Sequence, residues 1–253
     1  MTAPGCKGCG NADEVARGIT MAFHPIVDVP AHAVFAHEAL VRGLGGETAA
    51  QVIEHVGQDN RYAFDQACRM VAIRTAARVG PPALLSINFM PNAVYNPEHC
   101  LQATFAAARE ADWPLERVIF EVTEHEEVID HDHLVRVLAA YKAHGFLTAI
   151  DDFGAGFAGM NLLADFQPDL VKLDIGLIRR IDGSRPRQMI VRHMAALCGE
   201  LGVQVIAEGV ETEGECRALL DLGIRLQQGF FFARPLTGGL PDIHWPEAGH
   251  SHG

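Results

Sequence analysis

Short apolar runs recur along this chain, and nearly every one stops at a carboxylate, an amide or an ammonium. The run Thr148-Ala149-Ile150 ends in Asp151-Asp152, and Phe153-Gly154-Ala155-Gly156-Phe157 follows at once. Two adjacent carboxylates at the mouth of a buried strand are costly unless a cation compensates them. A divalent metal is the most economical compensation. One carboxylate can bridge two such ions while its neighbour binds one of them. A solvated Asp-Asp opening a turn is the plainer reading of this pair alone, so the other strand ends must decide.

The pattern first sets a fold. Met21–Val29 reads as a strand in which Pro25 demotes part to an edge. Pro30-Ala31-His32-Ala33 then connects to a strand over Val34–Val41, a link too short for a parallel crossover, so these two strands form an antiparallel hairpin. From there the rhythm alternates. Helices are expected over Thr48–Val56, Tyr62–Val79, Pro97–Ala111, His131–His144, Met160–Phe166, Arg187–Leu201 and Glu213–Leu222. Strands are expected over Ala83–Phe89, Arg117–Val122, Phe146–Asp151, Asp169–Leu173, Val203–Ala207 and Arg225–Gln228. Strands that are almost continuously apolar and alternate with helices imply a buried parallel sheet. About eight strands in a chain of 253 residues suggest an α/β fold of the TIM-like (β/α)8 barrel type, with an antiparallel first strand. A doubly wound open sheet is the alternative, weakened because no Gly-rich phosphate loop follows an early strand.

In such a barrel the carboxyl ends of the strands converge on one face. There stand Glu38 and Arg42, Asn88, Glu121 with Glu124 beyond it, Asp151 and Asp152, Lys172 and Asp174, Glu208 and Glu211, and Gln228. Singly, each has a bland role as a cap or an ion pair. Together they form an oxygen-rich set without thiol or imidazole, which suits a hard cation, Mg²⁺ or Mn²⁺, rather than zinc.

Composition narrows the function. The chain is 49% hydrophobic and 21% charged, as in soluble globular proteins, and no apolar run has the length of a membrane span. The expectation is therefore no membrane association and, without a secretory signal, a cytoplasmic compartment. A net charge of −12 argues against binding of DNA or RNA polymers but leaves room for a small phosphorylated ligand. Cys68, Cys198 and Cys216 lie in helical stretches and Cys100 near the start of another; they read as buried. Cys6 and Cys9 form a C-x-x-C without a second pair. His250 and His252 could complete a zinc site, but an unpaired tail is the plainer reading. One domain is expected over 19–240, between flexible tails at 1–18 and 241–253.

The motifs at the strand ends carry a family resemblance. His37-Glu38-Ala39-Leu40-Val41-Arg42 resembles the signature of EAL domains, the cyclic di-GMP phosphodiesterases. The resemblance continues through Asn88, Phe120-Glu121-Val122-Thr123-Glu124, Asp151-Asp152-Phe153-Gly154-Ala155-Gly156, Pro168 to Asp174, Ile206 to Thr212 and Gln228-Gly229-Phe230. It implies that Glu38, Asn88, Glu121 and Asp151 hold one metal, and that Asp151 bridges to a second, held also by Asp152 and approached by Glu208. It further implies that Lys172 orients the attacking water, Gln228 contacts the water and metal region, and Arg42 holds a ligand phosphate. His24, Asp174, Glu211 and Gly229 are placed with Arg42 at the ligand. Glu124 anchors the loop after Asp152 rather than binding metal, since it lies roughly 10 Å along an extended chain from Glu121. The implied reaction is hydrolysis of cyclic di-GMP to linear pGpG, with two Mg²⁺ or Mn²⁺ per site and Ca²⁺ inhibitory. The implied assembly is a homodimer near Phe157, Met160 and Leu163.

The chain departs from the family pattern in two places. His24-Pro25 stands where Gln-Pro is usual, and Gly43-Leu44-Gly45-Gly46-Glu47 is shorter than the common insertion, as in the EAL subgroup joined to blue-light sensors. No sensor domain is expected here. Two other functions stay open: a non-catalytic cyclic di-GMP receptor or protein-interaction module, and an enolase-like barrel with Lys172 as base.

Overall fold

The structure, a computed structural model, describes residues 11–80, 83–123, 130–156 and 159–247. The expected hairpin forms. Strand β1 (Ile19–Asp28) pairs antiparallel with β2 (Ala33–Gly43), from Ile19 opposite Gly43 to Asp28 opposite Ala33, with one slip at Ile26/Val27. Pro25 pairs only with β2 and falls between the stretches of β1 that meet other strands on its second side, so its missing N–H leaves no ladder bond unmade there.

Strands β3 (Leu84–Asn88), β4 (Val118–Thr123), β5 (Leu147–Phe153), β6 (Leu170–Leu173), β7 (Gln204–Ala207) and β8 (Leu226–Gln228) follow β2 in parallel order. β8 then pairs antiparallel with β1, which already pairs with β2, and the sheet closes. The closed order excludes the doubly wound alternative. A two-residue strand, β9 (Leu236–Thr237), adds to β1 and was not expected.

Helices α1 (Ala12–Ala16), α2 (Ala49–Ile53), α3 (Arg61–Val79), α4 (Pro97–Glu110), α5 (His131–Ala143), α6 (Gly159–Asp165), α7 (Ile175–Ile178), α8 (Arg185–Glu200) and α9 (Glu213–Asp221) accompany the strands. Their starts have local causes. Asn96 and Asp130 accept from the backbone N–H groups of His99 and His133, and Thr212 with Glu215 makes a capping box.

Two expectations about the ends need correction. Residues 12–16, read as tail, are helical, and Ala12 is buried in the main core. Within 241–253, the described part is packed. Ile243 and Trp245 lie against the core, and the Trp245 ring stacks on His32 at 4.5 Å, because an indole buries more apolar area than a loop otherwise offers. Cys6, Cys9, His250 and His252 fall outside the described residues.

The core has two parts. The larger fills the space between barrel and helices, with Phe23, Ile73, Leu85, Phe120, Phe153 and Val171 among its members. The smaller lies inside the barrel: Ile26, Ala36, Ile119, Ala149, Leu170, Ile206 and Leu226, one residue from each of seven strands. Side chains two apart on a strand share a face. The residue two positions nearer the mouth on each of these strands is His24, Glu38, Glu121, Asp151, Lys172, Glu208 and Gln228, with Glu208 just beyond the end of β7. An apolar floor therefore lies one layer below the polar groups that the sequence singles out.

Candidate active site

Lys172 is the centre of that polar layer. Its side chain is fully buried, and Nζ lies 2.8 Å from Glu208 Oε1, 3.0 Å from Glu121 Oε2, 3.0 Å from Asp151 Oδ1 and 3.5 Å from Glu38 Oε2. Burial alone would lower the ammonium's pKa, but Asp151, Glu121, Glu208 and Glu38 outweigh it and hold the pKa well above the ordinary lysine value. Glu121, wholly buried on β4, is pushed up to about 8, chiefly by burial, against the pull of Lys172. Burial also raises Glu208 well above its usual range. Glu38 goes the other way. Although buried, it is lowered by Lys172 and by its hydrogen bonds. Asn88 Nδ2 donates to its Oε1 at 3.0 Å, and Gln228 Nε2 donates to its Oε2 at 2.9 Å.

The carboxylates fall into two groups. Glu38, Glu121 and Asp151 each offer an oxygen, all within 4.8 Å of one another, and so do Asp151, Asp152 and Glu208. Asp151 belongs to both. Its Oδ1 accepts the N–H of Asp152 at 2.9 Å, and Asp152 has φ +54° at a break in the β5–β6 register between Ile150 and Phe153. The donors are all oxygen, the groups share one member, and Lys172 supplies only one positive charge against their five carboxylates. That donor set fits hard divalent cations.

Beside this cluster opens a cavity of about 370 Å³ bounded by His24, Arg42, Glu211, Gly229, Phe230 and Pro235, with Glu38, Glu208 and Gln228 at its inner end. Of the residues expected at a ligand, Arg42 lines it while its Nη1 donates to the Val41 carbonyl at 2.7 Å, and Glu211 lines it while paired with Arg179. The His24 ring nitrogen Nε2 donates to the Ala233 carbonyl at 3.2 Å; burial lowers this histidine's pKa, so the ring is neutral at pH 7.

Asp174 is placed otherwise. It caps α7, with Oδ1 accepting the N–H of Gly176 at 2.7 Å, and it is not among the residues bounding the cavity. Gly229 bounds the cavity, but its lack of a side chain answers to packing, since a Cβ there would sit 2.1 Å from the Val210 carbonyl oxygen. Glu124 and Phe157 fall outside the described residues; Met160 is exposed, and Leu163 is buried in the core and cannot belong to a surface.

Sequence reasoning assigned no role to Phe230, half-exposed at the cavity with the Arg234 guanidinium 4.2 Å from its ring centre, nor to Ile175 opposite. Phe230 was within reach as an aromatic directly after a strand-end motif. Arg234 was not, because its stacking depends on the turn that follows.

The EAL domain family model matches residues 13–235. The blue light- and temperature-regulated antirepressor BluF of Escherichia coli K12 is 34% identical over 227 residues, which is 89% of this chain and 56% of BluF. The chain thus spans about half the length of that curated relative. A standalone versatile EAL protein of Vibrio cholerae O395, solved with cyclic di-GMP bound, superposes with a TM-score of 0.87 at 49% identity, over 90% of this chain and 96% of the other. BlrP1 of Klebsiella pneumoniae, solved at pH 6 with manganese and cyclic di-GMP, gives 0.86 at 36% identity, over 92% of this chain and 59% of BlrP1.

Proposed function

The chain belongs to the EAL domain family, and from that premise we propose that it hydrolyses cyclic di-GMP to linear pGpG. One observation carries the reading: both oxygen groups that a two-cation centre needs are assembled, and they share Asp151. Glu38, Asn88, Glu121 and Asp151 would hold one divalent cation, and Asp151, Asp152 and Glu208 the other. Bound Mg²⁺ or Mn²⁺ supplies an activated water and neutralises charge that develops on the phosphodiester.

The chain's own groups do the rest. Lys172 stays protonated, so it serves as donor to the attacking water and not as base. The enolase-like reading needs that lysine neutral, which the four surrounding carboxylates oppose. Asn88 donates Nδ2 to Glu38, which leaves its Oδ1 for a cation. Gln228 fixes the other Glu38 oxygen. Arg42 faces the cavity as the phosphate-binding cation, and Phe230 offers a flat apolar face on which a purine can stack. The protein works as a homodimer in the cytoplasm. Among the described residues, no helix is long and apolar enough to cross a membrane.

A second reading, a non-catalytic receptor or interaction module, is favoured by the likeness to an antirepressor. Incubation with cyclic di-GMP and Mg²⁺, an EDTA control and nucleotide chromatography separate the two. pGpG formed with Mg²⁺ or Mn²⁺ and blocked by EDTA or Ca²⁺ supports hydrolysis. Binding without product supports the receptor, and no interaction overturns both.

A further inference from the structure

Helix α3 buries Asp65, Gln66, Arg69 and Thr75, an expensive choice for a helix that packs on a barrel. Asp65 and Arg69, one turn apart, form an ion pair with Nη2 2.6 Å from Oδ2 and side chains almost wholly shielded from solvent. Neither touches the carboxylate cluster. What they do touch is the backbone and rings that flank it. Asp65 Oδ1 accepts the N–H of Met90 at 2.9 Å. Met90 is two residues past Asn88, and between them Phe89 donates its N–H to the Glu121 carbonyl at 3.0 Å. The Arg69 guanidinium lies 5.7 Å from the centre of the Phe89 ring, 5.1 Å from Phe120 and 5.5 Å from Tyr141. Phe89 follows Asn88, and Phe120 precedes Glu121.

We propose that Asp65, backed by Arg69, is a positioning residue for the first cation: it pins Met90 and so fixes the end of β3 from which the Asn88 amide reaches the site. The inference rests on the reading of Glu38, Asn88, Glu121 and Asp151 as cation ligands. The chain leaves β3 at Asn88 and turns at once into a 3-10 turn over Pro91–Ala93. Beyond the ladder bond of Phe89, the Met90 hydrogen bond ties the backbone of this exit to helix α3, while His133 of α5 holds the Val94 carbonyl at the far end of the turn. Burial raises the pKa of Asp65 and the Arg69 charge opposes that; the ion pair holds the carboxylate in place, and the flat face of Arg69 on three rings holds the strands that carry Asn88 and Glu121 against the same helix. Partners that orient a metal ligand without touching the metal typically cost about 10–100-fold in affinity when removed.

The test is Mn²⁺ affinity, measured by calorimetry on the full chain without nucleotide. Asp65→Leu with Arg69→Met removes the anchor together with the charge it would otherwise strand, a replacement that buried ion pairs often tolerate. Met90→Pro removes the N–H from the other end and leaves the ion pair intact; Met90 already has φ −93°, near the proline range. Met90→Ala keeps the N–H and is the control. The expected result is a loss of about tenfold in Mn²⁺ affinity for the double variant and for Met90→Pro, with native melting cooperativity and unchanged affinity for Met90→Ala. If the double variant does not fold, Met90→Pro decides alone. Native affinity in Met90→Pro, or an equal loss in Met90→Ala, overturns the proposal. A native chain that takes up no Mn²⁺ overturns the cation-centre reading itself, whatever the variants do.

Discussion

Asp152 donates its backbone N–H to the side chain of Asp151, at 2.9 Å, while its own backbone stands at φ +54°. On a regular strand these neighbours would face opposite sides. The left-handed residue and the register break after Ile150 undo the alternation, and both carboxylates join one group with Glu208. Asp tolerates this backbone better than most residues, and a β-branched residue tolerates it poorly. Asp152→Gly should therefore keep stability within about 1 kcal/mol of native, whereas Asp152→Val should lose about 1–2 kcal/mol. Both should lower turnover of cyclic di-GMP by more than about a hundredfold, the upper end of what an outer partner of a metal ligand costs. Thermal melts beside product assays check the split; turnover that survives in Asp152→Gly would show that the carboxylate is not a ligand.

Lys172 is the only positive charge at the centre of four carboxylates among the described residues. Removing one partner of a buried ion pair commonly costs about 3–5 kcal/mol, because the other is left uncompensated. Lys172→Met should lose stability of that order in the metal-free protein. Added Mn²⁺ should then raise its melting temperature more than it raises the native protein's, since the ions replace the missing charge. Turnover should fall by about 10²–10⁴, the usual effect of losing a positioned proton donor or acceptor. Equal Mn²⁺ shifts in the two proteins would show that the lysine and the cations do not share the cluster.

Much of this was legible because a barrel strand repeats every two residues. Once Asp151 is placed inward, Ala149 must be floor, and the same arithmetic links Glu38 to Ala36, Glu121 to Ile119 and Lys172 to Leu170. What escaped had no period to betray it. Helix α7 has four residues, too short for a helical pattern, so the capping role of Asp174 had no signal in the sequence. The anchoring role of Asp65 depends on Met90, 25 residues away in sequence. The left-handed turn at Asp152 depends on where β6 meets β5, which local propensity does not encode.

Gly229 and Asp174 separate binding from packing. Gly229→Ala would drive a Cβ to 2.1 Å from the Val210 carbonyl oxygen and 2.3 Å from its nitrogen, where only backbone could yield. The expected loss is about 1–3 kcal/mol, typical of overpacking, seen as a lower melting temperature. Asp174→Ala should lose about 0.5–2 kcal/mol through its cap, Asp174→Ser much less, and both should keep the KM for cyclic di-GMP. A raised KM in Asp174→Ser would return this carboxylate to the ligand.

The buried carboxylates also set a pH dependence. Glu121 is pushed up from 4.5 to about 8 by burial, so the folded chain binds this proton more tightly than the unfolded chain does. Its contribution to stability is fully present below about 4.5 and is lost as pH rises through about 8, where folding must hold a charged carboxylate out of water. Glu208, also raised by burial, acts in the same direction. A divalent cation reverses the preference, because its ligands must be deprotonated and the charge it brings favours that state. The metal-free protein should melt at progressively lower temperature across that window. Mg²⁺ should restore more stability at its upper end than at its lower end, and Mg²⁺ affinity should rise with pH. Glu121→Gln removes the titrating group and should flatten the metal-free profile while weakening Mg²⁺ binding. A native profile that rises from about 4.5 to about 8 without metal would mean that Lys172 alone holds Glu121 charged, contrary to the direction burial imposes.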